Sequence, residues 1–189
     1  MVLQKKETWK LKKWFSVYAP SAFGTALIGE MPANDDAAAM GRSIVVSLDA
    51  LTHNPSHAYT NVKFRITEVN GTTANTKLVS MEQLYSYIRS LVRKYRSVAT
   101  LVQKVQTKDG VNMVAKLLIV TRQRATTRKI VGIRKEAGEI AKGYFLENDA
   151  NAIVAAILGG KLQSDLAARL NHIAPINKIE VRKLEVAQS

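Results

Sequence analysis

Cysteine is absent from all 189 residues. The chain therefore has no disulfide, no thiolate nucleophile and no cysteine-ligated zinc, which fits a reducing compartment. Histidine is scarce as well. His53 and His57 have helical spacing, but Pro55 stands between them and no third ligand is evident, so the stretch reads as a turn with two surface histidines. His172 falls at a helix end, where an imidazolium suits the dipole. No P-loop, no GxGxxG and no GxSxG occurs. Asp35 and Asp36, in an Ala-rich stretch, read as helix caps rather than a catalytic pair. Nothing supports an enzyme, a cofactor or a small-molecule substrate. Long apolar runs are missing too. The longest, Ala152 to Leu158, falls far short of the roughly 20 residues of a membrane span. The N-terminus has charge but no following apolar segment, so it does not read as a secretory signal.

Acidic residues are the last shortage. There are 15 against 28 Lys and Arg, giving a net charge of +13 and a pI near 10.0. This balance points to a polyanionic partner, nucleic acid first and an anionic membrane surface second. The charge is concentrated. Residues 89–142 carry 14 basic and 3 acidic residues, while residues 143–189 carry 5 of each. General solubility needs no such concentration.

The length suits one domain or one domain plus a tail. Residues 1–19 read as a basic arm in which Lys5, Lys6, Lys10, Lys12 and Lys13 bracket Trp9 and Trp14. Its single acid and lack of a core predict ordering only on a partner. Residues 20–189 read as a single α+β RNA-binding domain. Residues 29–41 read as a loop and Gly41 to Leu51 as the first buried strand. Val62 to Val69 alternates with period two, and Asn70-Gly71 predicts a tight hairpin into a return strand over Thr72 to Val79. Val98 to Val105 and Val111 to Val120 flank Asp109-Gly110, a second hairpin signal. Ile140 to Leu158 reads as one or two short helices. Leu162, Leu166, Leu170 and Ile173 mark a last amphipathic helix. The final strand changes parity between Val181 and Leu184, which predicts a bulge near Arg182-Lys183. The order favours α+β with a largely antiparallel sheet, open or curled into a barrel, over a doubly wound fold.

Met81 to Tyr95 reads as a two-faced helix. At about 100° per residue, Leu84, Ile88, Leu91 and Tyr95 share one side, and Arg89, Arg93 and Arg96 the other. With Lys94, Arg122, Arg124, Arg128, Lys129, Arg134 and Lys135 these arginines form the candidate RNA contacts, since acids that could pair with them are nearly absent. The arm lysines and Trp14 join them, because aromatic and guanidinium planes stack on unpaired bases. Lys63, Lys77, Lys161 and Lys178 read as solvated surface. RNA is preferred over DNA because no helix-turn-helix, basic-zipper or zinc-finger signature is present.

Lys12 to Phe23 (KKWFSVYAPSAF), Ile28-Gly29-Glu30, Gly41-Arg42, Phe64-Arg65-Ile66, Tyr87 to Arg93 (YIRSLVR), Thr107 to Gly110 (TKDG), Ile133-Arg134-Lys135 and Glu180 to Lys183 (EVRK) form an ordered series. In order and spacing it resembles the S-three-Ae family of archaeal and eukaryotic small-subunit ribosomal proteins, also called the v-fos transformation effector family. Met31 stands where the pattern has Thr, and Lys94 where an Arg pair is usual. The resemblance implies a structural, non-catalytic component of the cytoplasmic small ribosomal subunit that binds rRNA at the platform among neighbouring platform proteins. It implies a barrel-like sheet packed with helices. A regular helix is implied across Gly132 and Gly138. The absence of a long C-terminal extension implies the archaeal type. Arg42, Lys108, Arg182 and Lys183 join the candidate RNA contacts through their motifs. Two alternatives stand beside this reading: a non-ribosomal RNA-binding or RNA-processing protein, and, ranked last, a peripheral membrane protein using the arm.

Overall fold

The structure, a computed structural model, describes residues 12–186. Its strands are β1 (Lys13–Tyr18), β2 (Leu27–Ala33), β3 (Ser43–Ser47), β4 (Thr60–Asn70), β5 (Thr73–Gln83), β6 (Val98–Gln106), β7 (Asn112–Thr121) and β8 (Ile176–Val186). Its helices are α1 (Asp36–Ala39), α2 (Leu48–Thr52), α3 (Tyr85–Leu91), α4 (Thr127–Glu147), α5 (Ala150–Leu158) and α6 (Lys161–Leu170).

All eight strands join one mixed sheet in the order β2-β1-β5-β8-β7-β6, with β4 on β5 and β3 outside it. Every pairing is antiparallel except β1 with β5. The α+β class holds, but the sheet does not close into a barrel. One edge of β5 is shared: residues 73–75 pair with β1, and residues 80–82 pair with β8. The sheet splits there into two wings, without the continuous stagger that closure requires.

The larger wing carries the main core. Ile133, Ala137, Ala141 and Phe145 of α4, with Leu162, Leu166 and Leu170 of α6, meet Leu117, Ile119, Ile179, Val181 and Leu184 of the sheet. On the opposite face α3 packs Ile88 against Leu118 and Val120. Strand β7 is thus buried on both faces, which is why its sequence is a continuous apolar run instead of an alternation. In β8 the expected bulge is present: Lys116 faces Lys183 while Leu117 faces Val181, so Arg182 is the extra residue and Val181 and Leu184 reach the same core. In the smaller wing Phe15, Val17, Met31, Ile66 and Ala74 form a second core.

That second core moves the boundary expected at residue 19. Phe15 and Val17 are buried sheet residues, so the arm reading fails from Lys13 onward; residues 1–11 lie outside the described residues. Residues 29–41 are not a simple loop, since β2 runs through Ala33 and α1 follows. The strand expected over residues 41–51 ends at Ser47, and Leu48 starts α2.

Helix α4 runs unbroken through Gly132, Gly138 and Gly143. A Cβ at Gly143 would meet nothing within 4 Å. Gly143→Ala should therefore stabilise the fold by about 0.5–1 kcal/mol through helix propensity, raising Tm by roughly 1–4 °C. A melting curve checks this; an unchanged or lower Tm would contradict it.

Candidate nucleic-acid interface

The β6–β7 ladder runs from Gln106 opposite Asn112 at the turn to Val98 opposite Val120 at its open end. One step further, Ser97 and Thr121 face each other and are bonded both ways. Ser97 N–H donates to Thr121 Oγ1 at 3.0 Å, and Thr121 N–H donates to Ser97 O at 3.0 Å. Ser97 Oγ accepts from Ala125 N–H at 3.0 Å. The Thr121 hydroxyl lies 2.6 Å from Gln123 O and 3.1 Å from Ser97 O, with the residue only 1% exposed. Arg122 extends the tie to β8: its N–H donates to Pro175 O at 2.9 Å and its Nε to Ile176 O at 3.2 Å. Two segments far apart in sequence, 92–97 leaving α3 and 122–126 entering α4, therefore leave the sheet side by side.

Both segments are basic. Arg93, Lys94 and Arg96 lie on the first, Arg122 and Arg124 on the second, Arg89 at the end of α3, and Arg128 and Lys129 in the first turn of α4. Arg134 and Lys135 continue about 10 Å along α4, at about 1.5 Å per residue. All are exposed except the half-buried Arg96. Among the described residues, none of these ten has a carboxylate at ion-pair distance. Two exposed aromatic rings lie among them: the Arg89 guanidinium sits 5.1 Å from the Tyr85 ring centroid, and Lys94 Nζ 5.2 Å from that of Tyr95. The start of α4 has no acidic residue and no side-chain cap, so its amides add positive potential at the same end. Unbalanced like charge is self-repulsive, and an anion bound there relieves it.

The two-faced helix expected over residues 81–95 is not what presents these groups. Met81 to Gln83 belong to β5, and α3 ends at Leu91. Only Ile88 of the expected apolar seam is buried; Leu84 is exposed, and Tyr95 is 73% exposed in a left-handed turn at φ 67°. Arg93 and Arg96 are loop residues held by the Ser97–Thr121 clasp.

The remaining candidates are scattered. Lys5, Lys6 and Lys10 lie outside the described residues. Lys12 precedes β1, and Lys13 and Trp14 open it, across the sheet from the clasp; Arg42 joins them by donating to the carbonyl of Pro32, the register partner of Trp14, at 3.1 Å. Lys108 sits in the 107–110 turn, at the other end of β6, roughly 30 Å away at about 3.3 Å per residue. Arg182, exposed in the bulge, borders a shallow depression with Tyr85 and Ile88 of α3. Lys183 is committed elsewhere. It bridges Glu185 at 3.0 Å and Glu82 at 3.1 Å, and these bonds hold its ammonium above the ordinary lysine range. Ser97 and Thr121 were missed, although the hairpin register centred on residues 107–110 already places them opposite each other. Among the described residues no three side chains are grouped to hold a metal ion. No helix among them is long and apolar enough to cross a membrane.

The ribosomal S3Ae family profile matches residues 2–189. The chain belongs to the ribosomal S3Ae family. It is similar to small ribosomal subunit protein eS1 of Pyrobaculum aerophilum, with 38% identity over 186 residues that cover 98% of this chain and 84% of the relative. The eS1 protein of Methanococcus maripaludis strain C7 is 34% identical over 183 residues, covering 97% of this chain and 82% of the relative. The S3Ae family is ribosomal and structural rather than enzymatic. Met31 fills the smaller core, and Lys94 stays exposed beside the clasp.

Proposed function

We propose that the protein is a structural component of the archaeal small ribosomal subunit, in the cytoplasm, and that it binds rRNA at the platform through the clasped basic end. The observation that carries this reading is the convergence of segments 89–96 and 122–135 on the Ser97–Thr121 tie, with no carboxylate partner among the described residues for their cations. Unpaired guanidinium and ammonium groups neutralise phosphates and release counterions, and a fixed loop pair presents them in a defined geometry. Neighbouring platform proteins then meet the remaining surface. Lys12, Lys13, Trp14 and Arg42 form a second contact across the sheet, and Lys5, Lys6 and Lys10 add to the RNA-binding charge.

Binding of the purified chain to small-subunit rRNA should be dominated by phosphates. If roughly six cations reach phosphate, log K against log salt should fall with a slope of about −4 to −5. Filter binding across a salt series, with co-sedimentation on small subunits, measures this. A flat salt profile would show that the basic end points away from RNA.

A further inference from the structure

The turn Arg93-Lys94-Tyr95-Arg96 closes through Arg96 N–H, which donates to Arg93 O at 3.2 Å. Tyr95 holds its third position, with φ at 67°. A third turn residue at positive φ is normally Gly or Asn, because an L side chain there crowds its own backbone. Nothing in the fold offsets this strain. At 73% exposure Tyr95 is the most exposed of the large hydrophobic side chains described. Among the described residues its hydroxyl has no hydrogen-bond partner and no aromatic ring packs on it. Its one ring contact among them is Lys94 Nζ, 5.2 Å from the centroid. Tyr87 shows the contrast. It stacks on Tyr59 with centroids 5.0 Å apart, and its hydroxyl donates to Glu180 at 2.9 Å. Lys178, read from sequence as solvated surface, pairs with the same carboxylate at 3.0 Å.

An exposed ring is by itself ordinary surface. A ring held at a strained backbone position that the fold does not use points to a partner. Its neighbours say which kind. Three cations flank it in one four-residue turn, and among the described residues none of them has a carboxylate at ion-pair distance. A protein partner would have to bury these cations or supply the acids to pair them. Double-stranded RNA would use the cations but not the ring, because its base faces are already stacked inside the helix. An unpaired nucleotide uses both: its phosphates take the cations and its base takes the ring. Lys94 lies against one face of Tyr95, so the other face is the one a base can cover. The ring is also placed in advance. Ser97, two residues on, is bonded both ways to Thr121 in the clasp.

We propose that Tyr95 is a stacking platform for one unpaired base of the bound RNA, with the adjoining phosphates at Arg93 and Lys94. The proposal rests on RNA binding through the clasped end, and it adds a preference for single-stranded over paired RNA at this turn.

Two short RNAs serve as probes: a single strand carrying one 2-aminopurine, and the same strand paired with its complement. 2-Aminopurine fluorescence falls on stacking, and the parent protein should quench it in the single strand. Tyr95→Asn suits the turn and removes the ring. Its Tm should hold or rise, by up to about 4 °C. Its affinity for the single strand should fall on the order of tenfold, and the quenching should be lost. Every cation remains, so its affinity for the duplex should stay within about twofold of the parent's. Tyr95→Phe, which keeps the ring, should bind both RNAs as the parent does. A lower Tm for Tyr95→Asn would make the ring part of the fold and overturn the proposal. So would equal losses on single strand and duplex, which would make the shape of the turn responsible instead of stacking. So would variants that keep both RNAs and lose a neighbouring ribosomal protein on small subunits. Salt-dependent rRNA binding by a parent protein that leaves the 2-aminopurine bright overturns the platform alone; no rRNA binding by the parent protein overturns the reading beneath it as well.

Discussion

Reversing Arg93, Arg124 and Arg128 to Glu should abolish rRNA binding at moderate salt while leaving the fold intact. All three are exposed, and none has a carboxylate partner among the described residues. Among the described residues their one side-chain bond is a long one, Arg93 Nε to Ser90 O at 3.4 Å. Exposed changes of this kind move stability by about 0.5 kcal/mol or less each, and here they relieve repulsion among neighbouring cations. Binding responds differently. Each reversal removes one phosphate contact and sets a carboxylate against the RNA backbone. Affinity should fall on the order of 100-fold or more, and the salt slope should become shallower by about 2–2.5. Filter binding at several salt concentrations, with thermal melting of the same samples, separates the two effects. A variant that melts early would make these arginines structural. A variant that binds rRNA with the parent slope would place the RNA face elsewhere.

What the sequence revealed and what it hid follow from contact range. Asn70-Gly71 and Asp109-Gly110 are local turn signals, and both hairpins form around them with Gly71 and Gly110 at positive φ. The parity slip in β8 is local too, and the bulge is at Arg182. The expected helix from Met81 failed because Met81 and Glu82 are claimed by distant strands: Met81 pairs with Val62 on one side and Leu184 on the other. No window of neighbouring residues contains that information. Strand β1 was hidden for the same reason. Its parallel partner, Thr73 opposite Ser16, is a crossover away, and the surrounding lysines made the segment look like a tail. The concentration of charge was legible; its presentation on two tied loops was not. Ser97 and Thr121 carry no charge, and their role appears only when the hairpin register is extended one residue past its last pair.

That tie yields the second large effect. Thr121→Val keeps the volume of a residue that is 1% exposed, so it opens no cavity. It removes the hydroxyl, which accepts from Ser97 N–H and lies within hydrogen-bond reach of Gln123 O. Polar groups left unpaired at a buried site cost about 1–3 kcal/mol, which lowers Tm by roughly 2–12 °C at this chain length. The functional consequence is distinct from charge reversal. Every cation is still present, so the number of phosphates neutralised in the final complex is unchanged and the salt slope should keep its value. What is lost is part of the pre-organisation: segments 92–97 and 122–126 keep the Thr121 N–H to Ser97 O and Ala125 N–H to Ser97 Oγ bonds, but the free protein holds them less firmly and RNA must restore their geometry. Affinity for rRNA should fall by about tenfold with an unaltered slope. Thr121→Ser, which keeps the hydroxyl and loses the methyl, should retain most of the affinity. If Thr121→Val binds as tightly as the parent, the clasp does not organise the interface. If Thr121→Ser fails as badly as Val, packing of the methyl rather than the hydroxyl holds the two segments together.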